Sequence, residues 1–174
     1  MNLEKLFQIQ KVLRDRIGYN EPDHFDKLIL ALLVEAGECA NEHRGFKFWS
    51  VNQLPHTSAV RVPCMMEEDK EFYNPLLEEF VDKLHFILEL GLQINIDTSK
   101  WDIGPIIHKN ITVQFIAFNQ SVTNFWSEVF EYRYALILGT FLGLGEMLGF
   151  TWEQIEQAYL EKNKINHQRQ EVGY

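Results

Sequence analysis

Two short patterns carry carboxylates at helical spacing: Glu35-x-x-Glu38 within LLVEAGECANE, and Glu79-x-x-Asp82 within EEFVDKLHFILEL. Side chains three apart on a helix are neighbours, about 5–6 Å between Cβ atoms, so each pair forms a two-carboxylate claw. Glu35, Glu38 and Glu42 share a helical face with Leu28, Ala31 and Leu32, in a segment apolar nearly all round and so expected to be buried. A buried carboxylate without a partner is costly. If the two helices pack face to face, four acids converge and cations must compensate them. Oxygen-only donors select a hard ion, Mg²⁺ or Mn²⁺, over zinc or copper. A lone ExxE is more often a solvated face; two claws embedded in apolar helices put a metal on an equal footing with that reading. A di-iron centre is a weaker rival. Asp82 and His85 have the required i, i+3 relation, but no histidine stands in register with Glu35 and Glu38.

The C-terminal stretch YLEKNKINHQRQEVGY supplies the complementary chemistry. Tyr159, Lys162, Asn163, Asn166, Arg169 and Gln170 follow helical spacing and share one face, almost entirely hydrogen-bond donors with two permanent positive charges. Polar stripes are commonly just solvated. Beside a carboxylate cluster in an acidic chain, this one suits a metal-bound polyphosphate, with Arg169 offering a fixed fork to phosphate oxygens.

The elements that must position these groups read as helices. Leu3 to Ile17 is one, Phe25 to His43 a second, and a third starts after Pro75 and ends near Gly91. Between the last two lies a long irregular stretch, about 45–75, punctuated by Pro55, Pro63 and Pro75; connections of that length are commonly lids or binding loops. Residues 93–110 read as a connector with one short helix. Ile111 to Gly149 is apolar and helical with an interruption near Val122–Trp126, and its glycines suggest close helix–helix approach. Thr151 with Gln154 resembles a capping box opening the last helix, to about Gln168. No strand is expected. The fold class is all-α, one domain over 1–174.

Bulk composition excludes several functions. The net charge is −9, with 16 Lys+Arg against 25 Asp+Glu, and no basic patch for nucleic acid is present. The longest apolar run, Ala135 to Leu144, is about half of what a bilayer requires. Cys39 and Cys64 lack disulfide-framework or zinc spacing. The expectation is a soluble cytoplasmic protein with no membrane or nucleic-acid partner.

ExxE on one helix, ExxD followed by HF on another, a KFW segment between them, and KNxxNxxRQxxGY at the end together resemble the dimeric, all-α dUTPases of the MazG-like pyrophosphatase superfamily. The resemblance spans essentially the whole chain, and the C-terminal motif is its most specific part. It implies a helical bundle forming a homodimer that uses Mg²⁺ or Mn²⁺ to convert dUTP to dUMP and pyrophosphate, with dUDP a second candidate substrate. By the same resemblance Glu35, Glu38, Glu79 and Asp82 are the metal ligands, with Glu35 and Glu38 also the acids nearest catalysis. Lys162, Asn163, Asn166, Arg169 and Tyr174 hold phosphates, His85 and Phe86 line the sugar or base pocket, and Lys47 and Trp49 sit in the loop that closes over substrate. Gln10 and Leu13 match a Gln-x-x-Leu motif whose next position is usually Asn or Asp and helps to read uracil; here it is Arg14. Gln10 and Arg14 are therefore the expected base contacts. Two other functions remain in play: a house-cleaning pyrophosphatase for other or modified deoxynucleotides, favoured by Arg14, and a catalytically silent nucleotide-binding regulator, disfavoured by the full set of acids.

Overall fold

Helix α3 (Pro75–Gln93) is the axis on which the molecule is built, because its sequence leaves almost no side free of apolar residues. Leu76, Phe80, Val81, Leu84, Ile87, Leu88 and Leu90 are all buried, so neighbours must cover it on every side. They are α1 (Leu3–Ile17), α2 (His24–His43), α5 (Glu131–Met147) and α6 (Trp152–Glu171), while α4 (Ile111–Ser127) packs on α2 and α5. This arrangement is that of a computed structural model, which describes residues 3–62, 69–97 and 103–173. The fold is all-α.

Local chemistry sets the helix starts. Asn74 Oδ1 accepts from the Leu77 N–H at 3.1 Å with Pro75 in the first turn, and Asn110 Oδ1 accepts from Val113 N–H at 2.9 Å. Thr151 and Gln154 form the expected reciprocal capping box. Helix α2 ends on Arg44, whose φ of +66° turns the chain out of the helix and starts the long connection to α3. That connection is pinned where it passes the bundle: His56 N–H donates to the Glu42 carbonyl, and its ring meets the Glu42 carboxylate at 2.7 Å.

Four expectations are corrected. The connection contains a two-residue antiparallel pairing, β1 (Ala59–Val60) with β2 (Phe72–Tyr73), too short to leave a periodic signal. The break in the 111–149 segment falls at Glu128–Phe130, not at Val122–Trp126, whose apolar residues Val122 and Phe125 are core. No short helix occurs at 94–97 or 103–110, the described parts of the connector. Helix α2 is buried on one side only: Leu32, Ala36 and Cys39 face inward, whereas Leu30 and Val34 are exposed.

The α5 glycines serve close approach, but chiefly to a connector. A Cβ on Gly143 would overlap the Ile106 carbonyl, and one on Gly139 would strike the Ile106 side chain. The connector backbone lies in that groove, with Ile106 N–H donating to the Gly139 carbonyl at 2.8 Å. Buried Gln114 completes the lock, donating to both the Ile106 and Thr140 carbonyls at 2.8 Å.

Candidate active site

The pairing of α2 with α3 brings three of the four claw acids together. Glu35, Glu79 and Asp82 can each offer an oxygen such that all three lie within 4.8 Å of one another. Glu38 does not join them; its side chain is exposed, one step round α2 from the facing seam. It remains close enough for its charge to act on Glu35 and Glu79.

The cluster is electrostatically unsatisfied. Burial, then the neighbouring Asp82 and Glu38 charges, push Glu35 up to about 7. Glu79 reaches about 7 through burial and the charges of Asp82, Glu35 and Glu38. Burial also raises Asp82, although Lys162 opposes it. Glu35 Oε2 is buried with no hydrogen-bond partner among the described residues. Three converging carboxylate oxygens with an orphaned lone pair fit a hard divalent cation, which takes such donors at about 2.0–2.6 Å.

Two lysines supply part of the missing positive charge. Lys162, from α6, donates to Asp82 at 2.6 Å and to Glu78 at 3.1 Å. Burial disfavours its charge, but Asp82 and Glu78 more than offset that and leave its pKa raised. Glu78 also receives Arg61 at 3.3 Å, from the β1 side of the long connection. Lys83 is fully buried, its ammonium over the Phe80 ring at 4.8 Å from the centroid, and burial lowers its pKa. Sequence reasoning missed Glu78, Arg61 and Lys83. Glu78 had a signal, since it precedes Glu79 and stands four before Asp82; Arg61 and Lys83 had none without tertiary contacts.

A cleft of about 420 Å³ opens beside this cluster, of a size that suits a small molecule. Its walls come from α1, the start of α2, α3 and α6, and include Gln10, Arg14, His85, Phe86, Asn166 and Arg169. The stretch of α3 from Asp82 to His85 joins the acids to the cleft, and the Arg169 charge is felt at Asp82. Asn163 is buried, its Nδ2 without a hydrogen-bond partner among the described residues.

The cleft floor is a hydrogen-bonded chain whose polarity can be assigned. A carboxylate only accepts, so Gln10 must direct Nε2 at Glu89 Oε2, 3.2 Å away. Gln10 Oε1 then accepts from the Tyr159 hydroxyl and His85 Nδ1, each at 3.0 Å. His85 therefore carries its proton on Nδ1 and presents Nε2 as an acceptor. Burial, then the Lys162 charge, hold its pKa down at about 3, which keeps the ring neutral. The ring stacks on Tyr159 at 4.2 Å between centroids.

Arg14 lines the cleft and is also tied to its wall. Its Nε lies 3.2 Å from Glu89 Oε1 and its Nη2 donates to Gln93 Oε1 at 2.7 Å, so the guanidinium is tied to α3. Glu89 was overlooked, although a carboxylate within the apolar run FILEL, four residues after His85, was a readable anomaly. Lys47 and Trp49 do not line the cleft; Trp49 is exposed and packs edge-on against Phe46 and Phe48. Tyr174 lies outside the described residues.

No curated protein matches the chain at a significant level. A family model described as dUTPase matches residues 2–63 and 66–174, covering both acidic claws, the connection between them and the donor stripe of α6. The chain belongs to the all-α dUTPase family, and with it is a nucleotide hydrolase of the dUTP diphosphatase type.

Proposed function

We propose that the protein hydrolyses dUTP to dUMP and pyrophosphate with Mg²⁺, or Mn²⁺, as cofactor, working as a cytoplasmic homodimer. The observation that carries the reading is the convergence of Glu35, Glu79 and Asp82 beside a cleft floored by Gln10 and His85. These three acids would hold the ion. Bound there, it would offset carboxylate repulsion, polarise phosphate oxygens and favour ionisation of an attacking water.

The chain's own groups have separable tasks. Glu38 stands outside the triad but within its field, and is the acid we assign to take the proton from water. Lys162, Asn163, Asn166 and Arg169 share the inner side of α6 and offer the donors for the phosphate chain, with Tyr174 completing the motif. Lys162 already bridges acidic oxygens, so it is held where a transferred negative charge would need it. Phe86 and His85 wall the sugar side of the cleft, and Lys47 and Trp49 belong to the segment that would cover it. Exposed apolar residues on α2, α4 and α5, among them Leu30, Val34, Ile116 and Leu136, support a second copy as partner.

A pyrophosphate-release panel over the common NTPs and dNTPs, with and without Mg²⁺, tests the reading. The expected result is strong preference for dUTP and dependence on added metal. A flat profile would instead support the broader house-cleaning activity, for which Arg14 is the one sequence argument. Light scattering should give twice the 20.5 kDa of one chain.

A further inference from the structure

The Arg14–Glu89 pair occupies a place that a purely structural ion pair would not need. Gln10 and Arg14 stand one helical turn apart on α1, and Glu89 on α3 lies between them, one carboxylate oxygen toward each. All three line the cleft. Glu89 is nine-tenths buried, and its Oε1, although near Arg14 Nε, has no hydrogen bond of acceptable geometry. A buried acceptor of that kind calls for a donor.

The order of groups along the cleft wall is donor, acceptor, donor. Gln10 Nε2 spends one hydrogen on Glu89 and keeps a second. Arg14 sets Nε beside Glu89 Oε1 and spends Nη2 on Gln93, leaving Nη1 clear of both contacts. Uracil presents the complement along its pairing edge: O2 accepts, N3–H donates and O4 accepts. Cytosine presents an acceptor at N3 and a donor at the exocyclic amine, so against this wall two acceptors would meet at Glu89 and two donors at Arg14 or Gln10.

We propose that Glu89 is a specificity-determining residue, its carboxylate accepting the N3–H of a uracil ring while Gln10 and Arg14 flank it as donors. The assignment rests on the dUTP reading above and deepens it. It also gives Arg14 a purpose: the guanidinium holds the Glu89 carboxylate in place and stands where a short amide or carboxylate is otherwise expected. Leaving a buried acceptor opposite another acceptor is the kind of mismatch that separates close analogues by large factors.

The test measures kcat/KM for dUTP and dCTP in the wild type, Glu89→Gln and the double variant Arg14→Gln/Glu89→Gln, with melting temperatures for each. Binding of dUMP and N3-methyl-dUMP to the wild type is measured alongside. Glu89→Gln should lower the dUTP-to-dCTP ratio by about 100-fold, mostly through KM. The double variant, which removes both charges together, should recover melting temperature but not selectivity. N3-methyl-dUMP should bind at least about 100-fold more weakly than dUMP. Recovery of selectivity together with stability in the double variant would overturn the proposal, since the pair would then be charge balance alone. Equal binding of the two monophosphates would overturn it without any variant having to fold. A wild type indifferent between dUTP and dCTP would instead sink the dUTP reading itself, and this inference with it.

Discussion

Helix α3 carries two acidic regions, about two turns apart, that are opposite in their electrical accounting. Near its start Glu79 and Asp82 meet Glu35 from α2, with Glu38 close by and Lys162 the main direct counter-charge. Further along, Glu89 is matched one to one by Arg14 and is further held by Gln10. The first region has a deficit of positive charge: burial first, and then carboxylate repulsion, push Glu35 and Glu79 up to about 7. The second is closed. Burial is common to both, so burial alone does not mark the metal site. The deficit is what supports our assignment of a cation to the first region: carboxylates collected without enough cations suit one that arrives from outside, whereas Glu89 has its counter-charge within the chain.

The largest test of this contrast is Glu79→Gln. Removing a charge from the deficient region should cut turnover by roughly a thousandfold, since the ion's electrostatic help is the main source of rate. The metal-free protein should melt at the same temperature or higher, because like-charge repulsion is relieved. Pyrophosphate release and melts in EDTA check both halves. A less stable variant with normal turnover would reverse the comparison.

At the balanced region the same kind of change should have the opposite sign. Arg14→Gln leaves Glu89 buried without its counter-charge and should cost about 1–3 kcal/mol of stability, readable by urea denaturation. If Arg14→Gln is neutral and Glu79→Gln destabilising, the two regions have been assigned the wrong way round.

Lys162→Met sharpens the deficit rather than relieving it. With the internal competitor gone from Asp82, the Mg²⁺ concentration that half-saturates thermal stabilisation should fall by roughly threefold to tenfold, on the strength of one nearby charge. Turnover should drop nonetheless, because the phosphate chain loses a cation.

The smallest expected effect is in pH dependence. A carboxyl raised from 4.5 to about 7 contributes stability that is complete below about 4.5 and is lost as pH climbs through about 7. His85, lowered from 6.5 to about 3, slopes the other way, losing stability as pH falls below about 6.5. Comparing wild type with Glu79→Gln in EDTA cancels the histidine. The variant's lead in melting temperature should be near zero at pH 4.5, grow to pH 7 and then level. A lead independent of pH would show that Glu79 is not raised.

Much of this was legible from residue spacing, and the exceptions share a cause. Helix periodicity located the six helices, and Thr151 with Gln154 gave the start of α6, because capping and amphipathicity are local properties. The i, i+3 rule identified the acids, but it cannot say how far α2 is rotated about its own axis; that rotation turns Glu38 outward while Glu35 faces α3. Likewise the rule that put Arg14 near the base could not see Glu89, 75 residues further on, waiting to tie it. The α5 glycines announced a close approach without naming the partner, which is the Ile106 carbonyl and not a helix. What one turn of helix decides was readable; what depends on the meeting of distant segments was not.

That the cleft joins α1 to α6 has a kinetic consequence. Its floor includes the Tyr159–Gln10 bond, which spans 149 positions of chain. Contacts of such separation are among the slowest to form, since the loop they close must lose its entropy before any contact repays it. During synthesis α1 leaves the ribosome while α6 is still untranslated, so the Tyr159–Gln10 bond cannot form until the last helix is made. The cleft is thus complete only when the final helix has been made, and its floor is the last part of the fold to be acquired.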